Sequence, residues 1–254
     1  MDLKTRDSFA ERWARYFPGA ELPFTFFYAD GPGDAEPVAA GKGHRCIFVD
    51  FNRVRHGTAL ALRNESVGCF GGRRYLGFAQ EIRPDFEYFL SCGIPGKLEG
   101  ERYKQTPDMV RDWLKAMPAF VAPRPWIVFK RWDRLAERDA PEVVIFYASP
   151  DVLSGLFTLA NFDETENDGV VTPMASGCGA LVMHPYLQGR SEHPRAVIGL
   201  FDPSARPYAA PDVLGFAVPI ARFERMAANM EESFLITETW KQIQARLARR
   251  RAAE

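Results

Sequence analysis

The sequence predicts a single layered domain of the α+β or α/β class, a mixed sheet with flanking helices. It reads as two interlocked lobes, about residues 1–120 and 121–254. Three observations carry this. Short β-rich runs alternate with segments of helical periodicity through the second half, as in a layered sheet. An aromatic run closed by a turn near the N-terminus gives the sheet an antiparallel start. No low-complexity linker and no fixed-period repeat divides the 254 residues, a length that suits one or two domains with a sizeable core.

Taken in order, "TRDSFAERWARYF" spaces Phe9, Trp13, Tyr16 and Phe17 at helical intervals, and Pro18-Gly19 ends the helix. "ELPFTFFYAD" is short and aromatic and runs into Asp30-Gly31-Pro32, a strand followed by a turn. The Gly/Pro-rich "GPGDAEPVAAGKG" reads as a loop without regular structure. "HRCIFVDFNRVRHG" fits a helix better than a strand, because Gly57 then serves as the stop. "TALALR" is a strand leading into a turn at Cys69, and a helix is expected over about 84–91. Thr106 and Pro107 form the N-cap and first turn of "PDMVRDWLKAMP", with Val110, Trp113, Leu114 and Met117 on one face. In the second half "PWIVFKRW", "EVVIFYAS", "RAVIGLFD" and "DVLGFAVP" are strands. Ser149-Pro150 opens the helix in "SPDVLSGLFTLANF", and "GVVTPMAS" leads to a helix that begins at Cys178. "IARFERMAANMEESF" and "TETWKQIQARLARRR" are closing helices.

Composition narrows the function. The chain is 46% hydrophobic and 26% charged, and 32 basic residues against 33 acidic ones leave a net charge of −1. That balance gives no reason to expect nucleic acid or an anionic membrane as partner. The basic tail "ARLARRRAAE" reads as the solvated end of a helix, where cations suit the dipole. No apolar run approaches the ~20 residues that cross a bilayer, and the charged N-terminus lacks a signal-peptide core. The expected location is the cytoplasm, where four cysteines read as free thiols, metal ligands or redox groups rather than disulfides.

Two stretches concentrate the chemistry. "SVGCFGGRRYLGF" places Cys69 before Gly71 and Gly72, and "MASGCGALVMHPYL" places Cys178 between Gly177 and Gly179, each ahead of a helix. Glycine allows close backbone approach, and a thiol at a helix start can ionise more readily. Such a sulfur can attack an electrophile or ligate a metal; it can equally be a small apolar side chain in a tight turn. With Cys46 and Cys92 ("SCGIPG"), four cysteines are available to converge on an iron–sulfur cluster, although no C-x-x-C pair occurs. Arg73 and Arg74, with the neighbouring glycines, form a candidate anion-binding turn, or lie on a solvated face. His44 is either a ligand near Cys46 or a loop residue; His56, His184 and His193 carry no metal-site pattern. G-x-S-x-G, the P-loop and G-x-G-x-x-G are absent, which removes the usual footing of hydrolase, NTPase and dehydrogenase readings.

The segments "RCIFVDFNRVRHG", "GCFGGRRYLGF", "GIPGKLEGERYK", "GCGALVMHPYLQG" and "DVLGFAVPIARFERMAANM" together resemble the domain of unknown function 169 family of archaea and anaerobic bacteria, from about residue 20 to about residue 232. The resemblance implies cysteine at the positions of Cys46, Cys69 and Cys178, with Cys92 belonging to a narrower branch. It implies no agreed biochemical function. The expectation is a cysteine-lined pocket that binds an iron–sulfur cluster or other metal for redox or cofactor handling, with a small molecule or a redox protein as partner. Two alternatives stay open. One is a metal-free enzyme that uses Cys69 or Cys178 as thiolate on a small anionic substrate. The other is a non-catalytic binding subunit with packed cysteines.

Overall fold

The aromatic and β-branched runs that read as strands in the sequence are buried on both faces. The computed structural model describes residues 2–41, 43–118 and 120–253. β1 (Phe24–Ala29) and β5 (Val143–Ala148) lie side by side at the centre of one sheet. The remaining strands are β2 (Glu36–Pro37), β3 (Leu60–Leu62), β4 (Trp126–Arg131), β6 (Val170–Val171), β7 (Ala196–Gly199) and β8 (Leu214–Pro219). The eight strands run in the order β2-β3-β4-β1-β5-β8-β7-β6. Among the described residues, only the edge pairs β2–β3 and β6–β7 are parallel.

That order is an internal duplication. β1 through β4 and β5 through β8 have the same connectivity and the same pairings, and a pseudo-twofold axis passes through the Thr25–Val144 pair, with Phe24 opposite Ile145 and Phe26 opposite Val143. Equivalent hydrogen bonds close the strand ends: Trp132 N–H donates to the Pro23 carbonyl and Ile220 N–H to the Glu142 carbonyl. Between the edge strand and the next, the first half inserts α2 (Phe48–Arg55). The second half inserts a π-helical turn, Gly179–Met183, that continues into α7 (His184–Gln188). The same number of residues separates Cys46 from Gly57 and Cys178 from Gly189. The structural counterpart of Cys178 is therefore Cys46, whereas the glycine context in the sequence pairs Cys178 with Cys69.

The halves differ where they continue. Residues 200–213 join β7 to β8, but residues 63–125 join β3 to β4 and carry α3 (Phe70–Tyr75), α4 (Phe86–Phe89) and α5 (Pro107–Ala116). The halves meet between β4 and β5, after the boundary near residue 120 that the sequence suggests.

Both faces of the sheet are covered. α1 (Leu3–Tyr16), α6 (Pro150–Ala160), α8 (Ile220–Asn229) and α9 (Glu238–Ala253) pack on one face, with Phe9, Trp13, Phe17, Phe146, Phe223 and Trp240 in one cluster. Gly155 on α6 permits this approach, since a Cβ there would meet the Trp240 ring at 2.5 Å. α2 and the π-turn with α7 cover the other face through Phe48, Phe51, Leu181 and Tyr186. With both faces buried, the strands read as continuous apolar runs instead of alternating ones. Lys130 interrupts that pattern: it is 1% exposed, and its Nζ meets Asp139 at 2.8 Å and Asp34 at 2.7 Å.

Local expectations met several adjustments. The segment expected to lack structure contains β2, held by Glu36 N–H to the Ala59 carbonyl and Val38 N–H to the Ala61 carbonyl. The helix expected over about 84–91 shrinks to α4. The helix after Cys178 starts as a π-turn buried on every residue. The basic tail is the exposed end of α9, as expected, with Arg246 paired to Asp151 at 2.7 Å and Arg250 paired to Asp212. Among the described residues no helix is long and apolar enough to cross a membrane.

Candidate functional site

A cleft of about 710 Å³ opens on the α2 and α7 face, walled on its outer side by the 63–125 connection. Cys46, Cys69 and Cys178 all line it. Each arrives by a different local rule. Cys46 leads into α2, its carbonyl accepting from Val49 N–H. Cys178 precedes the π-turn and is buried, with Sγ 3.6 Å from Ser176 Oγ. Cys69 caps α3, and its Sγ accepts from Gly72 N–H at 3.5 Å. Burial pushes the Cys178 thiol well up, and Cys69 and Cys46 add to the shift. Burial also raises Cys46, with Cys69 adding. The Cys69 sulfur is thus an electrostatic neighbour of both, and the Cys46 and Cys178 thiols stay protonated until a cation arrives.

The glycines serve the backbone. A Cβ on Gly177 would meet the Phe48 ring at 2.5 Å, so glycine lets the Cys178 segment approach α2. A Cβ on Gly72 would meet Val67 at 2.9 Å. Of the candidate residues beside the cysteines, Gly71, Arg74 and Gly177 line the cleft; Gly72, Arg73 and Gly179 stand outside its lining. Arg73 turns back to donate to the Val67 carbonyl at 2.8 Å, and Arg74 lines the wall while donating to the Gln80 carbonyl. Cys92 is exposed and outside the lining, its thiol directed at the Gly93 carbonyl. His44 lines the cleft. Among the described residues, no group of three or more His, Cys, Asp or Glu side chains is placed to hold a single metal ion.

Sequence reasoning passed over Asp202. It lines the cleft at 2% exposure, and its charge is felt by Cys46, Cys178 and Tyr75. Oδ1 accepts from Ala205 N–H at 3.0 Å and from Ser204 Oγ, while Oδ2 is buried with no hydrogen-bond partner among the described residues. The Asp202-Pro203-Ser204 triplet at the end of a strand was the available signal, and it reads first as turn chemistry. Burial pushes the Tyr75 phenol, next to Cys178, up to about 12.

Backbone strain gathers here as well. The non-glycine residues with positive φ among those described are Asp85 (60°), Arg102 (56°) and Leu200 (69°). Asp85 lines the cleft, Arg102 stands between the lining residues Glu101 and Tyr103, and Leu200 sits two residues before Asp202. A buried leucine in that region is costly, and such strain persists where surroundings hold it for a purpose.

A sequence profile of the domain of unknown function 169 family, described as "Uncharacterised ArCR", matches residues 19–229. The chain belongs to this family. The matched region takes in every strand from β1 to β8, all four cysteines and Asp202, so the family segment contains the whole sheet and the residues that line the cleft. α9 and α1 lie beyond it. No curated protein and no solved structure matches the chain.

Proposed function

We propose that the cleft binds an organic ligand or cofactor, and that Cys46, Cys69 and Cys178 hold an iron–sulfur cluster in its wall for redox or cofactor handling. The observation that carries this reading is the arrival of three thiols, from three separate segments, in one cleft and in electrostatic contact. A single tetrahedral ion needs its sulfurs about 3.8 Å apart, from a metal–sulfur bond of ~2.3 Å. A cluster spreads its thiolates more widely, because each binds a different iron. Cys92 stands apart, so this reading uses three cysteines instead of four, and the cleft gives a non-protein group access to the remaining position. Such a cluster would supply one-electron chemistry or a Lewis-acidic iron. The protein's own share is to bring three sulfurs into one cleft and offer a volume within the ~300–1,000 Å³ usual for small-molecule sites.

Anaerobic purification followed by iron and acid-labile sulfide analysis tests the reading. Iron and sulfide in matching amounts with a broad visible charge-transfer band are expected. Protein that stays free of iron after anaerobic reconstitution contradicts it.

A second reading rests on one specific observation. Burial keeps the Cys46 and Cys178 thiols protonated, whereas Cys69 is half-buried, caps α3 and accepts an N–H bond. In a metal-free thiolate enzyme Cys69 is therefore the nucleophile, with Arg74 beside it on the cleft wall.

A further inference from the structure

We infer that the cleft selects a ligand bearing a cationic nitrogen group, seated against Asp202 and enclosed by aromatic rings. The inference rests on the cleft's being a ligand site; it does not depend on what the cysteines hold.

The fold explains only half of the Asp202 side chain. One oxygen makes the turn after β7 by accepting from Ala205 N–H and Ser204 Oγ. Asparagine or serine would serve that turn equally well. The other oxygen is buried, has no hydrogen-bond partner among the described residues and belongs to a residue that lines the cleft. A buried carboxylate oxygen without a partner is expensive, and a buried negative charge is retained where a cation or strong donor completes it. Among the described residues no lysine, arginine or histidine forms an ion pair with Asp202, although His44, Arg74, Arg83 and Lys104 share the cleft. Arg74 is engaged by the Gln80 carbonyl, and Arg83 lies 4.4 Å above the Phe89 ring. Asp85, another lining carboxylate, is already paired with Lys97 at 2.7 Å.

The walls fit the same ligand. Phe48, Tyr75, Phe89, Tyr103, Trp113 and Tyr208 all line the cleft. Aromatic faces attract a cation within ~6 Å of the ring centre, most strongly where water is excluded. Tyr75 and Tyr103 lie close enough to Asp202 to feel its charge, so two of these rings neighbour the carboxylate. An apolar, ring-lined volume with one unsatisfied anionic oxygen is complementary to an amine, amidine or cationic heterocycle. A carboxylate or phosphate seated beside Asp202 would meet it as a like charge.

The probe is p-aminobenzamidine, an aromatic cation whose fluorescence rises in an apolar site, with p-aminobenzamide as its uncharged counterpart of nearly the same shape. Both are titrated into metal-free protein, wild type and Asp202→Asn, with thermal melting to confirm that the variant folds. The amidine is expected to bind at least ~10-fold more tightly than the amide, and Asp202→Asn to abolish that preference. The wild-type ratio stands by itself should the variant not fold. Equal affinity for the two probes, an unchanged preference in folded Asp202→Asn, or no binding of the amidine overturns the inference. None of these readouts involves iron, so a cation-selective cleft without iron, or iron without cation selection, separates this inference from the cluster reading.

Discussion

Replacing Cys46, Cys69 or Cys178 by serine, one at a time, is expected to reduce bound iron to a small fraction of wild type. Cys92→Ser is expected to leave it unchanged. Serine conserves the volume of the side chain but removes the thiolate, and a neutral hydroxyl is a poor ligand for iron held by soft sulfur. The buried position is the most demanding, because Cys178 is 8% exposed. Ser176 Oγ stands 3.6 Å from its sulfur and offers the new hydroxyl a partner, so Cys178→Ser should fold. Iron and sulfide measured on the four anaerobically purified variants decide the matter. The pattern sought is three losses and one retention; iron lost with Cys92→Ser, or kept in any of the other three, is incompatible with the site described.

Lys130→Ala is expected to destabilise the fold by about 3–5 kcal/mol, the usual effect of removing one partner from a buried ion pair. Asp139 is 4% exposed and would lose the Lys130 ammonium at 2.8 Å, while still accepting from Ala136 N–H. A Lys130→Met, Asp139→Asn double variant should recover much of the loss, since it removes both charges. Urea unfolding of the three proteins gives the comparison. The same cluster has a pH signature. The Lys130 ammonium holds the Asp34 carboxyl down at about 2, below its value in an unfolded chain. A depressed carboxyl contributes stability fully above ~pH 4. That contribution fades as the pH falls through about 2. Because Asp34 is half exposed, the contribution is the smaller part of the cluster's effect. An acid limb that persists in folded Lys130→Met with unchanged midpoint would remove Asp34 from this account.

The parts of the fold legible in the sequence were those fixed by local chemistry. Thr106 and Pro107 open α5 as expected, with Thr106 Oγ1 accepting from Met109 N–H. Gly57 ends the α2 segment with φ of 96°. The aromatic and β-branched runs became strands because each side of the sheet had a hydrophobic layer to meet. The duplication was not legible. Its halves share topology and pairing while their strands are linked by connections of different length, 63–125 against 200–213, so no constant period runs through the chain.

The candidate site was half legible, and the glycines show why. Gly177 sits beside a cysteine of the cleft because two segments must touch there. Gly93 sits beside Cys92 for a local reason: its φ is 75° and a Cβ would meet the Leu98 carbonyl at 2.4 Å. The letters are alike, and only the fold distinguishes a glycine that admits a neighbouring segment from one that makes a turn. Asp202 escaped because an aspartate before proline reads as turn chemistry; its bare second oxygen is a property of burial, which no local pattern encodes.

The most direct test of the central claim is the alkylation rate of each cysteine, read by peptide mass spectrometry before and after anaerobic reconstitution with iron and sulfide. The account predicts that Cys46, Cys69 and Cys178 lose reactivity together as iron binds, while exposed Cys92 reacts at the same rate throughout. Bound iron that leaves any of the three at its metal-free rate, or that protects Cys92 with them, would contradict a single three-cysteine site in the cleft.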